Sequence, residues 1–198
     1  MKVLLVGATG LIGKGVAAAL AARHDVIPAS RSSEVSVDLN DPASISDMFR
    51  SVGHVDAIAS CAGHVPFNTL DALTRADFVA GFTDKALGQI ELAQQGLGYL
   101  NDGGSITLMT GVLARTPIKT GAVAAAVNGA VESYVTAAAI EMSRGIRINA
   151  VSPTVLVEAT GYHPYFPGFP QVTLKQVTDA YVRAIEGWDN GVVYRLDQ

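Results

Sequence analysis

Lys2-Val3-Leu4-Leu5-Val6 runs directly into Gly7-Ala8-Thr9-Gly10-Leu11-Ile12-Gly13, and an alanine-rich segment follows. A short uninterrupted apolar run is the pattern of a strand buried on both faces, and the segment after it has the composition of a helix. A chain leaving such a strand for a helix must turn sharply. Gly7 permits the turn, Gly10 lets the backbone approach a pyrophosphate, and Gly13 lets helix and strand pack closely. The start of that helix offers unpaired N–H groups and partial positive charge to an anion. The stretch therefore reads as the opening of a dinucleotide-binding α/β domain, although a strand-to-helix turn with no ligand would use the same residues.

The same rhythm continues along the chain. Val-, Ile- and Leu-rich runs predict further strands at Asp25 to Ser30, Val55 to Ser60, Ser105 to Met109, Ile146 to Val151 and Val192 to Leu196. Asp41-Pro42 reads as an N-cap with proline at the first helical position, followed by Ile45, Met48, Phe49 and Val52 on one face. Thr74 to Leu100 is a long helical candidate, with Thr74 as cap and Asp77 closing the first turn. Thr173 to Gln176 resembles a capping box for the last helix. Strands alternating with helices predict a Rossmann-type doubly wound parallel sheet, a three-layer α/β/α sandwich, as a single domain over residues 1–198. One stretch departs from that plan. Only Arg31 to Glu34 separate the second strand from Val35-Ser36-Val37, whereas a parallel crossover normally takes about a dozen residues. Either a very short third edge strand is reached by an extended return loop, or the segment is irregular.

Composition narrows the classes of function. The chain has 198 residues, 49% apolar and only 16% charged, which suits one substantial core. A net charge of −4 with thinly spread Lys and Arg argues against nucleic acid as a partner. The single cysteine, Cys61, cannot close an internal disulfide, and glycines interrupt the N-terminal apolar run. A cytoplasmic protein that neither enters nor spans a membrane is expected, with no metal site.

Taken with Cys61-Ala62-Gly63 after the fourth strand, Gly104-Ser105-Ile106 opening the fifth, and Gly145-Ile146-Arg147-Ile148-Asn149-Ala150-Val151-Ser152-Pro153 around the sixth, the glycine loop resembles the short-chain dehydrogenase/reductase family. The similarity runs along nearly the whole chain. It implies a nicotinamide dinucleotide held by Gly7, Thr9, Gly10, Leu11, Ile12 and Gly13 at the loop, Asp38 and Leu39 at the adenine, Cys61, Ala62 and Gly63 at the ribose, and Pro153, Thr154 and Val155 at the nicotinamide. Thr154 stands where the family usually has glycine. The second strand ends in Ser30-Arg31-Ser32-Ser33, without the acidic side chain that would bind the ribose hydroxyls of NAD. A guanidinium and hydroxyls suit a 2′-phosphate, so Arg31 and Ser32 favour NADP over NAD.

The catalytic set does not carry over. In the family a serine orients the carbonyl, a tyrosine passes the proton, a lysine lowers the tyrosine's pKa, and an asparagine anchors a water relay. Those positions fall on Gly111, Ala124, Asn128 and Lys85 respectively, and none is the expected residue. Lys85, Thr110 beside Gly111, and His64 after the fourth strand are the candidate replacement donors, with Tyr162 and His163 further afield. Each also has a plain structural reading, as a solvated helix charge, a strand-ending hydroxyl or a loop side chain.

The loop from Val157 to Gln171 is rich in aromatic residues and proline and follows the sixth strand, where open α/β folds bind ligands. It reads as a substrate lid or as a packed surface loop. The segment from Gly121 to Ser143 is rich in small residues, which suits helix pairing, and the resemblance implies a homodimer through this helix and the long one before it. Two functions follow: an NADP-dependent oxidoreductase of a small carbonyl or alcohol with an unrecognised proton donor, or a catalytically silent NADP(H)-binding sensor.

Overall fold

The computed structural model describes residues 1–197. Seven parallel strands, β1 (Lys2–Val6), β2 (Asp25–Ser30), β3 (Val35–Ser36), β4 (Val55–Ser60), β5 (Leu100–Met109), β6 (Arg147–Pro153) and β7 (Val193–Leu196), form one sheet in the order β3-β2-β1-β4-β5-β6-β7. Because strand side chains alternate between faces, Val3 and Leu5 enter one core while Leu4 and Val6 enter the other. Helices α1 (Leu11–Ala21) and α6 (Leu174–Glu186) cover the first side. On the second lie α2 (Pro42–Val52), α3 (Arg75–Gly81), α4 (Gly88–Gly96) and α5 (Ala122–Glu141). The expected doubly wound three-layer sandwich is what forms.

Local signals place the helix starts. Asp41 accepts from the Ala43 amide with Pro42 at the first helical position, and both Thr74/Asp77 and Thr173/Gln176 form complete capping boxes. In α2, Ile45, Met48 and Phe49 are buried, each worth about 1.5–3 kcal/mol of apolar burial.

Two expectations change. The long helix does not reach Leu100: it ends at Gly96, and Leu100 instead opens β5, which is ten residues long rather than starting at Ser105. Leu100 pairs with Val55, and the Val55 amide donates to the Tyr99 carbonyl, so a distant strand captures residues whose local sequence is compatible with helix. Of the two readings for Val35-Ser36-Val37, the short edge strand is correct. Ala29 and Ser30 pair with Val35 and Ser36, and the return is held by Ser30 and Ser33 hydroxyls 2.7 Å apart and by the Val37 amide on the Ser30 carbonyl.

Among the described residues, α5 alone has the length and apolar character of a membrane-crossing helix. Its Val123, Val127, Val131 and Val135 are buried against the sheet, as in the core helix of a globular domain. Across the sheet, the fully buried Tyr181 of α6 donates its hydroxyl to the Ser60 carbonyl at the end of β4, 2.6 Å away.

Candidate active site

The strand order reverses between β1 and β4, and in open α/β sheets the crevice beyond the carboxyl ends of such a pair is the ligand site. Gly7 leaves β1 and Cys61 leaves β4 at this point. Gly7 has φ +81°, and a Cβ there would lie 2.8 Å from the Cys61 carbonyl carbon. The turn needs glycine for its conformation as well as for space.

A cleft of about 310 Å³ opens there. Of the residues expected at a dinucleotide, the structure brings Gly7, Thr9, Gly10, Arg31, Ser32, Asp38, Leu39, Cys61, Ala62 and Gly63 into its lining. Leu11, Ile12 and Gly13 lie outside it, Gly13 packing directly under the Gly7 carbonyl. Pro153, Thr154 and Val155 are also outside, buried at and just past the end of β6. Sequence reasoning did not single out Val37, Asn40 and Asp84 as lining residues, whereas Ser30, read as a hydroxyl beside Arg31, lines the cleft with them. Asn40 donates to Asp38 and to Asp84, tying the β3–α2 loop to the facing helix. Hydrogen bonds from the Asn40 backbone and side chain, helped by Arg31, hold the Asp38 carboxyl below the usual carboxylate range. Burial pushes the Cys61 thiol up to about 12, so it stays protonated at physiological pH.

Between α3 and α4 the helix widens into a π-turn over Phe82–Leu87, a departure that recurs at functional sites. Close packing at both ends accompanies it: a Cβ on Gly81 would meet Val123 at 2.5 Å, and one on Gly88 the Leu39 carbonyl at 2.7 Å. Lys85 sits in this turn. Its stem lies against Gly63, where a Cβ would stand 2.6 Å from the lysine Cγ. Burial lowers the Lys85 pKa from 10.5 to about 8, partly opposed by the neighbouring Asp84 carboxylate. His64 is exposed, and its backbone amide donates to Asp84 at 2.6 Å.

The buried Gln89 fixes the turn to the sheet. Its amide donates to the Lys85 carbonyl at 3.0 Å and to the Met109 carbonyl at 2.8 Å, and it accepts from the Met109 amide at 2.7 Å. The β4–β5 pairing stops at Thr107, so Gln89 serves the overhanging Met109 as a neighbouring strand would. Gln89→Leu is expected to strand these buried groups and cost about 2–4 kcal/mol, measured by urea unfolding.

The remaining expected catalytic positions lie beyond β5 and on α5. Ala124 and Asn128 are both buried, and the Asn128 amide nitrogen would be 3.3 Å from a Cβ on Gly111. The structure turns the Thr110 hydroxyl onto the Asn128 carbonyl and the Glu132 carboxylate, each at 3.2 Å. This belongs to a network that the sequence did not reveal. Arg115 donates to Glu132 at 2.5 Å, to Ser152 at 3.1 Å and to Asp197 at 2.7 Å, and Ser152 donates to Glu132 at 2.9 Å. It pins the segment after β5 onto β6 and the end of β7. His163 is likewise engaged, its ring nitrogen 2.9 Å from the Leu156 carbonyl, while Tyr162 is exposed.

Within the described residues the side-chain amide oxygen of Asn128 and the Thr154 hydroxyl are buried without a hydrogen-bond partner, as are the Thr107 hydroxyl and the His24 Nδ1. Buried polar atoms are normally satisfied, and of these orphans Asn128 and Thr154 lie near the end of β6.

Comparison with known proteins gives the family and the fold. A family model described as enoyl-(acyl carrier protein) reductase matches residues 3–185. The chain belongs to the short-chain dehydrogenase/reductase family. Hydroxynaphthalene reductase-like protein Arp2 of Metarhizium brunneum is 28% identical over 204 aligned residues, covering 88% of this chain and 76% of that protein. Among solved structures, protein lin1944 from Listeria innocua is 43% identical with a TM-score of 0.97, covering 98% of both chains. A small-chain dehydrogenase in complex with NADPH is 28% identical with a TM-score of 0.89, covering 100% of this chain and 96% of that one. This short-chain dehydrogenase/reductase therefore shares its fold with an NADPH-bound relative over its whole length.

Proposed function

We propose that the protein is an NADP-dependent oxidoreductase acting on a small carbonyl or alcohol substrate. The observation that carries this reading is the cleft at the β1/β4 reversal, lined by the glycine loop together with Arg31 and Ser32. Gly7, Thr9 and Gly10 with the start of α1 would take the pyrophosphate, Arg31 and Ser32 the 2′-phosphate, and Asp38 with Leu39 the adenine. Cys61, Ala62 and Gly63 would border the ribose, and the unpartnered Asn128 and Thr154 polar atoms would meet the nicotinamide half. NADPH, when bound, supplies the hydride. The NADPH-bound relative supports this choice of cofactor.

Lys85 is the proton donor in this reading. The family resemblance puts asparagine on the α3–α4 helix and lysine on α5, and this chain carries the two residue types exchanged, Lys85 and Asn128. A lysine with a pKa of about 8 holds a proton at physiological pH and can release it, and its stem borders the cleft wall at Gly63. His64 and Thr110 remain secondary candidates, His64 on the cleft lining and Thr110 already engaged by Glu132.

A silent NADP(H) sensor is the alternative, and the buried Ala124 favours it, since a methyl group stands where the family's proton donor is expected. A homodimer is part of either reading, supported by the exposed small residues Ala122, Ala126, Ser133 and Ala137 along α5, and so is a cytoplasmic location.

Calorimetric titration with NADPH and NADH tests the cofactor assignment. NADPH is expected to bind more tightly, and Arg31→Glu to weaken NADPH about 10- to 100-fold while moving NADH little. No heat with either nucleotide overturns the assignment. Oxidation of NADPH in the presence of aldehydes, ketones or quinones separates enzyme from sensor.

A further inference from the structure

A second concavity, of about 300 Å³, lies apart from the nucleotide cleft and shares none of its lining. Three separate segments build it: Phe67 after β4, Ile118 and Thr120 just before α5, and Tyr162, Tyr165 and Phe166 from the loop after β6. Four of the six side chains are aromatic and none is charged. We propose that this pocket binds the substrate and selects a flat, uncharged aromatic carbonyl compound of one or two rings, or the corresponding alcohol.

The walls are held by a framework. Phe166 packs on the core and meets Phe169 edge-on with ring centroids 5.2 Å apart, and the Asn68 amide donates to the Thr120 carbonyl at 3.2 Å, joining the first two segments. Thr120 has φ +64°, a left-handed conformation that a β-branched residue rarely adopts. Such backbone strain persists where the surroundings impose it, and it concentrates at ligand sites. Facing the fixed side are aromatic rings left open, with Phe67 46%, Tyr162 57% and Tyr165 60% exposed. Exposed rings around a concavity offer stacking faces to a ligand.

Size and charge choose the substrate class. A volume of about 300 Å³ is at the lower end for small-molecule sites, which suits one or two rings. With no cation in the lining, a carboxylate would lose its hydration and gain no partner. The polar edges of Tyr162 and Tyr165 suit a single carbonyl or hydroxyl oxygen.

This assignment rests on the oxidoreductase reading for its chemistry, but binding tests it separately. The probe is 2-naphthol, followed by fluorescence anisotropy, with NADPH titrated calorimetrically on the same proteins. Saturable binding of 2-naphthol is expected, weakened about 10-fold by Phe67→Ala and by Tyr165→Ser with NADPH affinity unchanged, and 2-naphthoate is expected to bind about 10-fold more weakly than 2-naphthol. Failure of 2-naphthol to bind, equal binding by the Phe67→Ala/Tyr165→Ser double variant, or equal binding of 2-naphthoate overturns the proposal. If NADPH fails to bind while 2-naphthol behaves as expected, the cofactor reading falls and the pocket stands. If NADPH binds and 2-naphthol does not, the pocket assignment falls alone.

Discussion

Gly13→Val is expected to abolish NADPH binding, by more than about 100-fold, and to lower stability by about 1–3 kcal/mol or more. A Cβ at this position would overlap the Gly7 carbonyl oxygen and stand 2.8 Å from the Ala8 Cα, so the obstruction is backbone and cannot rotate away. The helix cannot retreat either. Val16 and Leu20 are fully buried, and Gly15 is packed so closely on Leu174 of α6 that a Cβ there would lie 2.9 Å from its side chain. Displacing α1 would move its N-terminal amides away from the anion they serve. Gly10→Ala provides the control for folding. Its Cβ would find nothing nearer than the Gly7 carbonyl at 3.5 Å, an ordinary contact, so the variant should unfold at nearly the wild-type temperature yet lose affinity through the methyl group in the cleft. Calorimetry with thermal unfolding reads both effects, and wild-type affinity in Gly13→Val would refute the account.

The second large effect is expected at Lys85. Lys85→Met should reduce turnover by about 10²- to 10⁴-fold, the usual contribution of a positioned acid, while leaving NADPH binding within a few-fold. The sign of the pH dependence follows from the lowered pKa. Lys85 is protonated below about pH 8, so carbonyl reduction should be sustained there and fall as pH rises through that value. The variant should lose this limb of the profile. A lysine with a depressed pKa also disfavours the folded state while charged, so Lys85→Met should raise stability at neutral pH by about 1 kcal/mol. Activity lost together with stability gained separates a chemical role from a structural one. Unchanged turnover would return the proton to another group.

What the sequence made legible was local. The glycine loop, Asp41-Pro42 and the capping boxes at Thr74 and Thr173 each complete their geometry within a few residues, and each was readable without knowing the fold. Leu100 was not readable, because its conformation is decided by Val55 across the sheet. Most of the residues lining the nucleotide cleft came from the loops after β1, β2 and β4, where the α/β plan alone predicts a crevice. Asp84 escaped because its role lies in reaching His64 and Asn40 from another element. Gln89 looked like an ordinary helix residue until the overhanging end of β5 gave its amide two partners. The Arg115 network joins residues from Thr110 to Asp197, and no periodicity could have assembled it. The aromatic loop was conspicuous as composition, whereas its partners Phe67 and Ile118 became visible only in space.

The bond between Tyr181 and Ser60 also bears on the order of events during synthesis. It spans 121 residues and ties the centre of the sheet, next to the nucleotide cleft, to a helix near the far end of the chain. With Gly15 packed on Leu174 as well, the first βα unit has no cover on that face until α6 has been made. Contacts so distant in sequence close late, after the entropy of the intervening loop has been lost. A ribosome-bound chain carrying the complete glycine loop but not yet α6 would therefore expose Val3, Leu5 and Val16, and the nucleotide crevice would reach its final shape only after α6 had emerged.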